Sequence, residues 1–369
     1  MVGGGVQFRR HHFAGHGHQP DRARHRRLRK QRQVDHQEAG RPVLDCRGLF
    51  CALAPWQWYR NEGVAMRFPL SVDRPVICAI MKQEQPYVIE WIAWHKLHGF
   101  DIMIADNCTA GPQTAVLSAL RDVGWIRLVD WRHDPHQPQR RAYSYLYWQA
   151  LLHGYRYLGF IDADEFFEPL EGPPWGGAQL VRSLLRRPSV RSAAFRWVNF
   201  GSDGQEVYDD ELVTVRFQRR GRHDASTARW KKSFARVASV LPKALRNPKL
   251  FMAHGHGFPI GLHKTLVDGM TLDKHPAAMP LEWKVGWIRH YAVKSRQELR
   301  DKIGRGAAFT PASEAQGAED YAATRDQNDI PDPLDEAKVG ALRAKMAEIT
   351  RSLDPAVVKL TRPLFLQRG

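Results

Sequence analysis

Long apolar runs are missing from this chain. No stretch approaches the roughly 20 residues needed to span a bilayer, and no apolar core follows the basic N-terminus as a signal peptide requires. The expectation is a cytoplasmic protein, or one seated peripherally on the inner face of a membrane. Cysteine is scarce: Cys46, Cys51, Cys78 and Cys108 form no Cys-x-x-Cys pair and no zinc-like framework. Cys78 lies in an apolar run, where a buried free thiol is expected. No Gly-x-Gly-x-x-Gly follows the first strand-like run, which disfavours a dinucleotide oxidoreductase, and there is no Walker-type phosphate loop. Acidic residues are the minority, 39 against 55 Lys and Arg, for a formal charge of +16. Such a balance suits anionic partners such as nucleoside diphosphates, anionic lipid heads or nucleic acid, without choosing among them.

What is present is the composition of a globular protein: 369 residues, 43% apolar and 10% aromatic, enough for one large or two ordinary domains. Residues 1–65 are unlike the rest, with 12 Lys and Arg against 5 Asp and Glu, the histidines His11, His12, His16 and His18, and almost no apolar periodicity. A nucleic-acid arm or a metal-binding histidine tract is conceivable there, but residues 1–70 read as a basic, disordered segment. Folded-domain patterning starts just after Met66, so residues 1–65 are also expected to lie outside the natural product; terminal mass analysis of protein made from its own gene tests this. A domain over 75–310 and a helical extension over 311–369 complete the expected organisation.

From Pro75 the pattern becomes regular. Val76–Met81 is a continuous apolar run, the sign of a strand buried on both faces. Pro86–His98 follows as an amphipathic helix stopped by Gly99, then a strand at Asp101–Ala105 and a helix at Gln113–Val123 stopped by Gly124. Trp125–Val129, Arg140–His153 with its stop at Gly154, and Tyr157–Ile161 continue the alternation. Strand–helix alternation with short connections predicts right-handed crossovers and a mainly parallel sheet flanked by helices. Beyond Pro169 the alternation fades. Val190–Phe200 and Leu212–Phe217 read as strands, 218–275 as long loops around a few strands, and Leu334–Leu353 as an amphipathic helix carrying Val339, Leu342, Met346 and Ile349.

The run Leu158–Phe167 places two carboxylates, Asp162 and Asp164, directly after a buried strand. Carboxylates there are costly unless a cation compensates them. A hard divalent ion holding substrate phosphates is one reason to place them so; a turn capping the next helix is the other. Ligands of parallel sheets bind beyond the carboxyl ends of the strands. Lys82 and Glu84 follow the first strand and Asp106-Asn107 the second, so polar groups converge on one edge. Aspartyl-nucleophile phosphatases carry a similar pair after their first core strand, whereas three strand–helix units precede it here.

The motifs Lys82-Gln-Glu84, Glu90-Trp91-Ile-Ala-Trp-His95, Asp106-Asn107 and Asp162-Ala-Asp164-Glu165-Phe166 stand in an order that resembles the bacterial family 2-type glycosyltransferases of the Asp-x-Asp-Glu-Phe subgroup, with the GT-A fold. Asn199-Phe200-Gly201, Lys231-Lys232-Ser233, His290-Tyr291-Ala-Val-Lys294-Ser295 and Lys302-Ile-Gly-Arg305-Gly306 extend the resemblance over roughly 75–310. It implies a Rossmann-like α/β sheet and transfer of a sugar from a nucleoside-diphosphate-sugar donor to an acceptor hydroxyl of a glycan or lipid-linked molecule, with inversion. It further implies Mn²⁺ or Mg²⁺ on the diphosphate: Asp164 as direct ligand, Asp162 facing ribose and metal, Asp106 and Glu84 in the nucleotide pocket beside Lys82, and His290 as a late metal ligand. Two departures stand out, Gln83 for the usual Asn and Cys108-Thr109-Ala110 after the second strand.

The acceptor base is open. Asp203 in Gly-Ser-Asp-Gly could reach the acceptor side or be a turn residue. His254 and His256 in Ala-His-Gly-His-Gly read either as a base or third metal ligand or as plain loop histidines, and Lys231, Lys232 and Lys264 read either as counter-charges to a diphosphate or as a solvated face. Trp91, Trp94, Trp131, Trp148 and Trp197 read mostly as core. The alternatives are a sugar-phosphate nucleotidyltransferase-like enzyme, whose Gly-rich first loop is not seen, and a basic nucleic-acid binder; no nucleic-acid partner is expected.

Overall fold

The computed structural model describes residues 70–108, 111–132, 138–188, 190–222, 230–238, 264–267, 270–272, 285–305 and 317–361. The expectations for residues 1–65 and for His254 and His256 fall outside them. The first half alternates as its apolar pattern requires: β1 Val76–Met81, α1 Val88–Leu97, β2 Asp101–Asp106, α2 Gln113–Asp122, β3 Arg127–Asp130, α3 Pro138–Leu152 and β4 Tyr157–Phe160. Each helix stops at the expected glycine, Gly99, Gly124 or Gly154, and all three have positive φ.

Strands β1, β2, β3 and β4 are parallel in the order β3-β2-β1-β4. Alternate residues of β1 serve two layers. Ile77, Ala79 and Met81 join the core beneath α1 and α2, whereas Val76, Cys78 and Ile80 pack with Ala142, Leu146 and Ala150 of α3. Cys78 is buried and free, and burial pushes its thiol pKa up.

The second half completes a mostly parallel α/β sheet of the GT-A type. After β5 Glu165–Pro169 and α4 Gly177–Arg186 come β6 Val190–Asn199, α5 Val213–Arg216, β7 Arg219–Arg220, β8 Lys231–Arg236, β9 Lys264–Val267, β10 Met270–Leu272 and β11 Gly286–His290. The path is β10-β9-β6-β8-β4-β1-β2-β3, and β11 pairs with both β6 and β5. Strand β8 is antiparallel to β4 and β6, an exception to the expected parallel run. Gly159 makes the β4–β8 fit possible: a Cβ there would lie 2.4 Å from the Phe234 ring.

The segment Leu212–Phe217, read as a strand, is instead the helical turn α5. The reason is Glu90, whose carboxylate accepts from Val213 N (2.8 Å), Thr214 N (2.9 Å) and Thr214 Oγ1 (2.8 Å). An anionic cap supplied from a distant helix overrides the β-branched local preference.

The chain ends in α6 Arg296–Gly304, α7 Ala318–Arg325, the short β12 Ile330–Pro331 paired with β7, α8 Glu336–Arg351 and α9 Pro355–Lys359. Helix α8 buries Leu342 and Ile349 in the main core, close against α1. Because α8 covers it, α1 is buried from Val88 through His95 and has no solvent face, unlike the amphipathic helix expected. Among the described residues no helix is long and apolar enough to cross a membrane.

Candidate active site

The strand order reverses between β1 and β4: the chain moves outward through β2 and β3, then returns to the other side of β1. Such a switch point opens a crevice at the carboxyl ends of the two flanking strands. Lys82, Gln83 and Glu84 follow one of these strands, and Asp162, Ala163 and Asp164 follow the other.

Helix α1 braces the acidic loop. Trp91 Nε1 donates to the carbonyls of Asp162 (3.0 Å) and Glu165 (2.9 Å), and Trp94 Nε1 to that of Phe167 (2.7 Å). His95 donates from Nδ1 to the Trp91 carbonyl (2.9 Å) and accepts from Phe167 N at Nε2 (3.4 Å). Burial keeps this imidazole neutral, lowering its pKa to about 3. The Glu-Trp-x-x-x-His motif is thus scaffold: Glu90 caps α5, and Trp91 and His95 hold the loop that carries the aspartates. Trp91→Phe keeps most of the ring but strips the donor from two carbonyls. It should cost about 1–3 kcal/mol, read as a lower denaturation midpoint in urea. A change under about 0.5 kcal/mol would show that these bonds do not hold the loop.

Both aspartates meet ammonium groups. Strand β8 runs past the end of β4 and brings Lys232 Nζ to 2.7 Å from Asp162 Oδ2 and 3.2 Å from Glu165 Oε2. The other Asp162 oxygen accepts from Tyr143 Oη (2.6 Å) and Gln139 Nε2 (3.4 Å). Lys302 of α6 donates to Asp164 Oδ2 at 2.6 Å and to the Ala292 carbonyl at 2.9 Å. Burial works to raise the Asp164 pKa, but Lys302 prevails and holds it well below the usual carboxylate range. Burial and the Asp162 carboxylate push Glu165 up, against the pull of Lys232. The reading of Lys231 and Lys232 as a solvated face fails at Lys232, whose side chain is 1% exposed.

Strand β11 places His290 opposite both Asn199 and Glu165. Its Nδ1 lies 2.8 Å from Asn199 Oδ1, which assigns the proton to Nδ1, and its Nε2 lies 3.8 Å from Asp164 Oδ2. Burial lowers its pKa to about 3, so it is a neutral imidazole.

On the β1 side, Arg305 pairs with Glu84 and donates to the Gln83 carbonyl, while Lys82 Nζ donates to the Arg305 carbonyl at 2.7 Å. Gln83 has a left-handed backbone, φ +55°. The family pattern's Asn is more at ease in that conformation than the Gln found here. Asp106 is buried and turned onto α2: Gln113 Nε2 (2.6 Å) and Cys108 N (3.1 Å) donate to one oxygen, Thr114 Oγ1 (2.6 Å) to the other. Gln113 also accepts from Glu84 N at 2.6 Å, linking the two strand ends.

The structure therefore brings together Lys82, Glu84, Asp162, Asp164 and His290, with Asp106 tied in through Gln113. Asp203 is not part of this cluster. It sits in a turn with φ +49°, its N–H donating to Asn328 Oδ1 (2.8 Å) and its carboxylate 4.0 Å from Arg219. Residues whose roles the sequence did not reveal are Lys232, Lys294, Lys302, Arg305, Tyr143 and Asn199. Several lay inside motifs that matched the family pattern, but a motif letter does not say that a lysine reaches across 138 residues to an aspartate.

The donor set also bears on a divalent ion. Asp164 and His290 face one another, yet Lys302 already sits on the same Asp164 oxygen, and both Asp162 oxygens carry donors. Among the described residues no group of three or more His, Cys, Asp or Glu side chains is disposed to hold a metal. As set, these residues do not fit a divalent cation.

No protein-family model matches the chain, and no curated protein matches it. Among solved structures, the chain is similar to residues 1–349 of S. aureus TarS at 9% identity, covering 78% of this chain and 83% of that one with a TM-score of 0.32. It is similar to a Bacillus anthracis protein named as a glucose-1-phosphate thymidylyltransferase and solved with sucrose, at 10% identity, 66% and 99% coverage and a TM-score of 0.29. A third likeness is to mannose-1-phosphate geranyltransferase of Thermus thermophilus, at 11% identity, 69% coverage of each chain and a TM-score of 0.23. At these identities and TM-scores none of the three bears on what the chain does.

Proposed function

We propose that the chain is a transferase acting on a nucleoside-diphosphate sugar, moving the sugar to an acceptor hydroxyl of a glycan or lipid-linked molecule. The observation that carries this reading is the reversal of strand order between β1 and β4, with Glu84 and Asp164 on its two sides and cations between them. A crevice at a switch point suits a nucleotide. Charge develops on the departing diphosphate as the glycosidic bond breaks, and fixed cations already in place stabilise it without reorganising. Asp162, whose side chain is 31% exposed, would face the donor's ribose. The acceptor hydroxyl would attack the anomeric carbon and lose its proton to a carboxylate.

A thermal-stability screen of nucleoside-diphosphate sugars, run with Mn²⁺ and separately with EDTA, tests the reading. At least one donor should raise the wild-type melting temperature by several degrees. Lys302→Met, which removes one of the cations on the Asp164 side of the crevice, should lose that response and at least about 100-fold in transfer rate, the usual consequence of removing one group that stabilises transition-state charge. Should no nucleotide sugar stabilise the wild type, or the variant respond equally, the reading is wrong.

A further inference from the structure

Four cations, Lys82, Lys294, Lys302 and Arg305, lie near Glu84 and Asp164 on the two sides of the crevice. Two of the cations are compensated, Lys302 by Asp164 and Arg305 by Glu84. The other two make no ion pair within about 4 Å of a carboxylate among the described residues, although Glu84, Asp164 and Glu298 attract Lys294 from farther off. Among the described residues, Lys82 Nζ donates only to the Arg305 carbonyl. Lys294 is 4% exposed, makes no hydrogen bond to a described residue, and rests 3.9 Å above the Tyr87 ring.

A buried ammonium with no carboxylate at ion-pair distance is expensive, several kcal/mol before compensation, and a cation–π contact returns only about 2 kcal/mol. Lys294 carries a second cost, a left-handed backbone at φ +58°. Strained, uncompensated residues of this kind persist where a ligand completes them. Burial lowers the pKa of both Lys82 and Lys294.

Resting on the nucleotide-sugar reading, we propose that Lys82 and Lys294, framed by Lys302 and Arg305, are the cradle for the donor's diphosphate and take the place of a divalent cation. The groups lie together: Lys302 and Lys294 both act on Asp164, and Glu84 is the largest attraction felt by Lys294. His290, neutral and held by Asn199, adds no charge. Lys302 then has two tasks, keeping Asp164 ionised and closing the position a metal would occupy.

The test is calorimetric titration of the full chain with sodium pyrophosphate and with UDP, GDP and ADP, each in EDTA and in Mn²⁺. Pyrophosphate should bind in EDTA, Mn²⁺ should improve the affinity less than threefold, and Lys294→Met should weaken it at least tenfold, with Lys294→Arg recovering part of the loss. Lys82→Met, at a less buried site, should also weaken binding and serves if Lys294→Met does not fold. Binding that requires Mn²⁺, or lysine variants that bind like the wild type, overturns the cradle. The two readings separate cleanly. Nucleoside diphosphates that bind only with Mn²⁺ sink the cradle and leave the nucleotide-sugar reading standing. Pyrophosphate that binds in EDTA through Lys294, with no nucleotide binding more tightly, sinks the nucleotide reading and leaves the cradle.

Discussion

Lys232→Met should lower the unfolding free energy by about 3–5 kcal/mol at pH 8, the usual cost of removing one partner from a buried ion pair. Lys232 is the shared cation of Asp162 and Glu165, and the Glu165 side chain is wholly buried with one oxygen that no described group satisfies. Glu165 already holds a proton more tightly in the folded chain than in the unfolded one, and losing the pull of Lys232 tightens that hold further. A group raised in this way stabilises the fold at low pH and loses that contribution as pH rises through its folded pKa. The deficit of the variant should therefore shrink between pH 8 and pH 5. The double variant Lys232→Met/Glu165→Gln should recover most of it. Urea denaturation at the two pH values reads both effects. A single-variant cost under about 1 kcal/mol, or a pH-independent one, would mean that the lysine does not carry this burden.

The second large effect belongs to Glu168, which is 3% exposed and holds three elements together. It accepts from Arg289 Nε and, at 2.8 Å, from Trp287 Nε1, both on β11, while its other oxygen takes Lys338 of α8 at 2.6 Å. Burial alone would raise its pKa, but Arg289 and Lys338 bring it down to about 2 from 4.5. That depression is worth about 3 kcal/mol at neutral pH. The contribution is present above pH 4.5 and is lost as pH falls toward 2. Glu168→Gln, which mimics the protonated acid, should lie about 3 kcal/mol below wild type at pH 7, and the gap should fall below half of that by pH 3. A gap constant from pH 7 to pH 3 would rule out the ion network as its origin.

How much could be read beforehand depended on whether a residue's surroundings were local. The strands β1, β2 and β4 and the helices between them follow from apolar period and from glycines that must turn left-handed, signals carried within a dozen residues. The acidic edge was legible for the same reason, because a strand end is marked by its own chain. Leu212–Phe217 was misread because what decides it, the Glu90 carboxylate, comes from more than 120 residues away. Lys232 was undervalued for a related reason: a lysine pair looks solvated until β8 is known to lie against β4. Strand β5 also escaped, since Glu165–Pro169 continues straight from the aspartate turn and, among the described residues, pairs only with β11, near residue 290.

One consequence concerns the order in which the pocket is made. Lys294, Lys302 and Arg305 arrive on a single stretch of chain, whereas the carboxylates they face are translated far earlier; Asp164 precedes Lys302 by 138 residues and Glu84 precedes Arg305 by 221. At roughly 5–20 residues per second, Asp164 leaves the ribosome on the order of ten seconds before its counter-charge exists. Through that interval the nascent sheet presents an uncompensated acidic rim that must stay hydrated. Competence to hold an anion is then acquired late by the growing chain, and a product truncated ahead of residue 294 would offer a crevice of the opposite sign.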